Sequence, residues 1–219
     1  MPDSRRKLPV TASVAKPAAG GKLSAPSALR NRQAIVQAIR PLMPVSGTAL
    51  EIASGTGEHV VHYATAFEGI MWLPTELAGD RLASIRAWCD ESGQPNILPP
   101  RFLDAANPGW AGGFAGQDVI IFSNLLHLVS DAEAGSVLTE AAQALAVGGV
   151  LLVYGPFLRG AMFASENDQR FHESLRASDP NIGYKSFQAI QGILSECGLA
   201  VADPVEMPAN NLLLTARKP

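Results

Sequence analysis

No apolar run in this chain approaches the roughly 18 residues of a membrane-spanning helix, and no secretory leader with a continuous apolar core is present. Cysteine is scarce. Cys89 and Cys197 lie in separate helix-like segments and form no CxxC pair, so neither a disulfide framework nor a thiolate zinc site is expected. A reducing, cytoplasmic setting is the default for such a chain. The four histidines, His59, His62, His127 and His172, show no HExxH or other ligand spacing, which argues against a metal centre. There is no GxSxG elbow, Walker lysine or catalytic CxxC. Acidic residues are nearly missing from the start: residues 1–32 hold seven Lys/Arg against Asp3 alone, while the remainder carries a surplus of nine negative charges. An acidic body does not suggest nucleic-acid binding.

What is there suits a single α/β domain. At 219 residues, 47% hydrophobic and 17% charged, the chain is long enough for a full core and too apolar for disorder. Residues 1–26, with Pro2, Pro9, Pro17, Pro26 and Gly20-Gly21, read as a flexible basic tail, and 27–219 as the folded domain. A helical face (Ala28, Ile35, Ile39, Leu42) precedes a first strand ending at Glu51-Ile52. Further short apolar strands are expected at 70–73, 97–103, 118–122 and 150–154. They alternate with helices at 58–68, 78–91 and 131–146, the last ended by Gly148-Gly149. A polar insertion, 158–185, has the length of a segment that covers a site and carries a short helix around 166–177. A helix at 186–197 and two strands at 199–206 and 211–217 finish the chain. Alternation of this kind implies a mostly parallel sheet covered by helices on both faces.

The stretch Glu51-Ile52-Ala53-Ser54-Gly55-Thr56-Gly57-Glu58-His59 organises the chemistry. Strand, glycine turn and helix N-terminus together make a nucleotide cradle. The third glycine of a dinucleotide fingerprint is missing, which disfavours a nicotinamide dehydrogenase. Glu51 would repel a pyrophosphate but suits a cationic ligand. Glu76 follows the second strand and Asp104 the third, placed to accept from ribose hydroxyls and an exocyclic adenine amine respectively. Ser123, Asn124 and His127 follow the fourth strand, and Tyr154 ends the fifth.

Acid-x-G-x-G-x-G at a strand end resembles the first motif of class I S-adenosylmethionine (SAM) methyltransferases, with Ala53 where the first glycine usually stands. Arg30-Asn31-Arg32, Ser54 to His59, Asn124-x-x-His127, Tyr154-Gly155-Pro156-Phe157, Ser165-x-Asn167, Leu175-Arg176 and Met207-Pro208-Ala209-Asn210-Asn211 resemble, in order, a small methyltransferase-like family of unknown function with YGPF and MPANN signatures. Glu76 replaces that family's usual aspartate, His172 stands where an aspartate is usual, and Gly183-Tyr184-Lys185-Ser186 replaces a Gly-Ile-Arg-Asp pattern.

The resemblance implies a Rossmann-like fold with seven strands, one antiparallel, and methyl transfer to a small molecule by a monomer or homodimer. It implies SAM held by Glu51, Ala53, Ser54, Gly55, Thr56, Gly57, His59, Glu76, Leu77, Asp104, Ala105 and Asn124. On the acceptor side His127, the best candidate base at its ordinary pKa of about 6.5, stands with Asn124 and Tyr154. Phe157, Asn167, Arg176 and Asn210 are candidate substrate contacts, although adjacent asparagines are equally the mark of a turn. The alternative is a SAM- or S-adenosylhomocysteine-binding module of the same fold that has no turnover and serves as a sensor.

Overall fold

The computed structural model describes residues 12–219. The first eleven residues of the expected tail lie outside the described residues. The rest of that tail departs from expectation. Strands β1 (Lys16–Pro17) and β2 (Leu23–Ser24) form a small antiparallel hairpin. Its order comes from distant partners. The Trp88 indole N–H donates to Leu23 O at 2.8 Å, the Leu23 N–H donates to Ser84 Oγ at 2.7 Å, and Lys22 lies over the Trp88 ring at 4.4 Å while pairing with Glu91.

Helix α1 (Pro26–Ile39) opens with proline at its first turn, where the missing N–H costs nothing. It buries Ala28, Asn31, Ile35, Val36 and Ile39. Then come β3 (Gly47–Ile52), α2 (Glu58–Ala66), β4 (Ile70–Glu76), α3 (Gly79–Ser92), β5 (Arg101–Phe102), β6 (Gln117–Ser123) and α4 (Asp131–Ala144). A full capping box between Ser130 and Glu133 starts α4. The chain continues through β7 (Leu145–Leu158), α5 (Glu166–Ser178), β8 (Lys185–Ser186), α6 (Phe187–Glu196), β9 (Ala200–Val201), β10 (Val205–Glu206) and β11 (Asn211–Arg217).

The main sheet runs β10-β11-β7-β6-β3-β4-β5, with β8 on β7 and β9 on β11. It therefore has nine strands rather than the expected seven, the extra two being two-residue edge pieces. Strand β11 is antiparallel to each of its neighbours. The central strands are apolar on both faces, and alternate residues feed two cores. Leu50, Ile52, Ile120, Phe122, Leu151 and Val153 pack on the side of α4 and α6. Ala49, Val119, Ile121, Leu152 and Tyr154 pack on the side of α1 and α2. No helix among the described residues is long and apolar enough to cross a membrane.

The expected strand at 199–206 is two short ones, separated by Ala202–Pro204. The expected strand at 150–154 is longer, beginning directly after α4 and ending only at Leu158. The asparagine pair proves to be a turn: Ala209 and Asn210 both have positive φ (58° and 59°) between β10 and β11, the geometry of a type I′ hairpin.

Strand order reverses between β3 and β6, because β4 and β5 continue to one side and β6 and β7 to the other. In open α/β sheets that crevice, at the strand carboxyl ends, is where ligands bind.

Candidate functional site

A cavity of about 720 Å³ occupies this crevice. Its floor is the turn after β3, where Ala53, Gly55 and Gly57 all have positive φ (53°, 62° and 97°). At Gly55 an added Cβ would meet Arg81 Nη1 at 3.5 Å and Ala53 O at 4.0 Å, both ordinary contacts, so the backbone itself lies open to a ligand. Gly57 is the opposite case, since a Cβ there would stand 2.8 Å from Ile85 Cα. Ala53 takes a left-handed conformation that a glycine would adopt freely. Ala53→Gly is therefore expected to raise stability by up to about 1 kcal/mol in urea unfolding, strain relief outweighing the extra freedom of the unfolded chain. A clear loss of stability would contradict this reading of the turn.

Glu76 ends β4, 8% exposed, and lines the cavity. Its Oε2 accepts from the Gly55 N–H at 2.9 Å, and its Oε1 accepts from the Leu77 and Ala78 N–H groups at 2.7 and 3.3 Å. A carboxylate has about four lone-pair sites, so this side chain fixes the glycine turn and keeps one site for a ligand. Glu58 performs a similar tie at the start of α2, accepting from Ser24 Oγ, the Ala25 N–H and Thr56 Oγ1. Asp104 lines the cavity beyond β5 and accepts from Asn107 Nδ2 at 2.7 Å.

Glu51 is buried beneath the turn, outside the lining. Burial pushes its pKa up to about 8, against a lowering by Ser54 and with a further push from Glu76. Its Oε2 has no hydrogen-bond partner. Acids and one arginine define the electrostatics: Glu76, Asp104, Glu133 and Asp179 line the cavity, with Arg81 the one Lys or Arg among the lining residues. Arg81 donates through Nη2 to Ser13 O and Oγ, at 3.2 and 2.7 Å. Ala12, Ser13 and Val14 thereby become part of the wall.

The structure brings Ala53, Ser54, Gly55, Thr56, His59, Glu76, Leu77, Asp104, Ala105 and Asn124 to one cavity. Asn124 has φ of 57° and donates its N–H to Tyr154 O at 2.8 Å. Other expected site residues are placed elsewhere. Gly57 is under the turn. His127 is 4% exposed in an aromatic nest, 5.8 Å from the Phe171 ring and 6.1 Å from that of Tyr184. Burial, assisted by Lys185, pushes its pKa down to about 3. Phe157 remains within β7 and faces the core instead of a ligand. Asn167 is exposed, its Oδ1 accepting from Arg170. Asn210 donates to Asp168 Oδ2 at 2.9 Å, tying the hairpin to α5. Arg176 borders a second hollow with His172, Tyr184 and Lys185, and Lys185 Nζ there pairs with Asp131 at 2.7 Å.

Sequence reasoning missed Ser13, Arg81, Glu133 and Asp179 as lining residues. Arg81 had a usable signal: it sits in the first turn of α3, and helical side chains lean toward the N-terminus, here toward Gly55.

The fold has parallels among solved structures. An O-methyltransferase family protein from Burkholderia thailandensis superposes with a TM-score of 0.70 and 17% identity, over 85% of this chain and 58% of that one. A putative O-methyltransferase from Nostoc punctiforme PCC 73102 gives 0.74 and 17%, over 87% and 56%. Human N-acetylserotonin methyltransferase, in complex with SAM, gives 0.68 and 15%, over 88% and 52%. This chain spans little more than half the length of those proteins, and what it shares with them is the class I SAM-dependent methyltransferase fold. Residues 22–218 match one family model, described as protein of unknown function DUF938, and on that coverage the chain belongs to the DUF938 family.

Proposed function

We propose that this protein is a SAM-dependent methyltransferase acting on a small-molecule acceptor. The observation that carries this reading is the meeting of an open glycine turn with Glu76 and Asp104 in one cavity at the strand carboxyl ends. Its volume lies in the usual range for small-ligand sites, about 300–1,000 Å³. The residues present fit the cofactor. An acidic lining suits a ligand with a sulfonium and an ammonium group and opposes a pyrophosphate. Gly55 leaves room where a side chain would intrude, and Glu76 keeps an acceptor site for a ribose hydroxyl.

SAM supplies a methyl group already activated on sulfur. The chain's part is to hold the reacting groups in line and to exclude water. Glu76 and the turn would fix one end of the ligand, Asp104 and Ala105 would border the adenine side, and Asn124 lines the cavity just after β6.

Calorimetry with SAM tests the proposal. Saturable binding is expected, and Glu76→Ala should weaken it about 10- to 100-fold, since hydrogen bonds to a charged group are worth about 1.5–3 kcal/mol. No heat at millimolar SAM with folded protein would end the reading. The non-catalytic alternative draws support from the displacement of His127, Phe157 and Arg176 away from the cavity. Formation of S-adenosylhomocysteine with an acceptor drawn from cell extract would exclude it.

A further inference from the structure

Four motif residues that the cavity floor does not use converge at one place, where His59 alone of them reaches the cavity lining. Asn31 comes from α1, His59 from the first turn of α2, Tyr154 from β7 and Asn211 from the start of β11. His59 Nε2 lies 2.7 Å from Asn31 Oδ1, and both residues are more than nine-tenths buried. The imidazole also stacks on Tyr63, with ring centres 5.6 Å apart and planes within 5°. Beside the pair sits the Tyr154 hydroxyl. Its pKa is raised by burial and drawn back by Asn31, Asn211 and the charge of Arg30. Asn31 thus stands between the imidazole and the phenol.

Of the four histidines, only His59 lines the cavity. An amide oxygen can only accept, so Asn31 makes Nε2 the protonated ring nitrogen and leaves the lone pair on Nδ1. Desolvation pushes the pKa of His59 down to about 4, with the charges of His62 and Arg32 adding to the effect, so the ring is neutral at neutral pH. Two contacts, hydrogen bond and stack, hold the ring against rotation. Ser27 and Ala28, one turn before Asn31, also line the cavity, as do Ser123 and Asn124.

We infer that His59, aimed by Asn31, receives the proton of the methyl acceptor, and that the acceptor presents a hydroxyl or thiol to this ring. The inference rests on the methyltransferase reading. In the step it describes, the acceptor's O–H or S–H proton passes to Nδ1 of His59. The heteroatom's freed electron pair forms the bond to the methyl carbon, and the pair of the broken carbon–sulfur bond stays on sulfur, cancelling the sulfonium charge. The imidazolium then gives its proton to water. An acceptor that must lose a proton as it is methylated fits such a base, whereas an ammonium group has no electron pair to attack with.

Nuclear magnetic resonance on the full chain, with 15N-labelled histidine and [methyl-13C]SAM, tests this without any acceptor. Expected are Overhauser contacts from the bound methyl to the His59 ring and none to His127. The 15N shifts should show Nε2 protonated and Nδ1 bare through the neutral range. Asn31→Asp, which keeps the shape and places a carboxylate on Nε2, should move the His59 titration upward while SAM still binds. A bound methyl that touches other residues but not His59, or a ring protonated on Nδ1, would overturn the inference and leave the cofactor reading standing. Absence of a bound methyl signal at saturating SAM would sink both.

Discussion

Gly57→Ala is expected to lower stability by about 3 kcal/mol or more. Two independent costs add. A Cβ residue at φ of +97° pays about 1–2 kcal/mol for the left-handed region. The new methyl would also land 2.8 Å from Ile85 Cα, a backbone atom that cannot swing aside. Overpacking of that kind typically costs a further 1–3 kcal/mol. Relief requires α3 to move, and Ser84 on that helix holds Thr56 O of the same turn at 2.7 Å. SAM binding should therefore fall with stability. Gly55→Ala supplies the contrast: its Cβ has room, so it should cost only about 1–2 kcal/mol of backbone strain while filling ligand space. Urea midpoints of the two variants, followed by calorimetry, measure both effects. A Gly57→Ala protein as stable as the parent would contradict the packing of the turn.

The pH dependence of stability should have its maximum near pH 6.5, and Glu51 sets the alkaline side. Its folded pKa of about 8 stands above the ordinary 4.5, so the folded state keeps a proton that the unfolded chain releases. That contribution is complete below pH 4.5 and is lost as pH rises through 8, at about 1.4 kcal/mol per unit. His59 and His127 act in the other direction. Their folded values of about 4 and about 3 lie below the ordinary 6.5, so each stabilises above pH 6.5 and loses its contribution as the solution is acidified. Between pH 4.5 and 6.5 the two histidines outweigh the one acid, and stability rises with pH; from 6.5 to 8 Glu51 acts alone, and stability falls. Glu51→Gln should flatten the alkaline side. It should gain about 2 kcal/mol on the parent between pH 6.5 and 8, read from urea titrations at both values. Parallel curves for the two proteins would show that Glu51 does not titrate in this range.

The elements most legible in the sequence were those whose stability is local or periodic. Apolar runs such as Val119 to Phe122 announce a strand buried on both faces, and Ser130 with Glu133 announces the start of α4. Glu76 and Asp104 line the cavity where their strands end, and Glu51 does not, because a strand end and a turn leave little freedom in where a side chain emerges, whereas a residue within the strand points into a core. His127 and Phe157 were misplaced for a physical reason. His127 sits in a short 3-10 turn packed against Phe171 of α5, a contact from far along the chain, and Phe157 lies in a strand that runs on past Gly155 because β11 and β8 extend its pairing. The end of α4 was misjudged through Gly148-Gly149: the helix stops at Ala144, and Leu145 pairs at once with Gln117. The hairpin at 16–24 carries almost no signal of its own, since Trp88, Ser84 and Glu58 hold it from far along the chain.

The residues just ahead of that hairpin matter to anyone handling the protein. The family's shared core begins at residue 22, whereas Ala12 to Val14 still face the cavity. A fragment trimmed to residues 22–218 would lose Ala12, Ser13 and Val14 from the cavity lining, and Arg81 its bonds to Ser13. An affinity tag is better attached behind Lys218, whose ammonium docks on the carbonyls of Ala142, Gln143 and Leu145, than ahead of a segment that shapes the ligand's room.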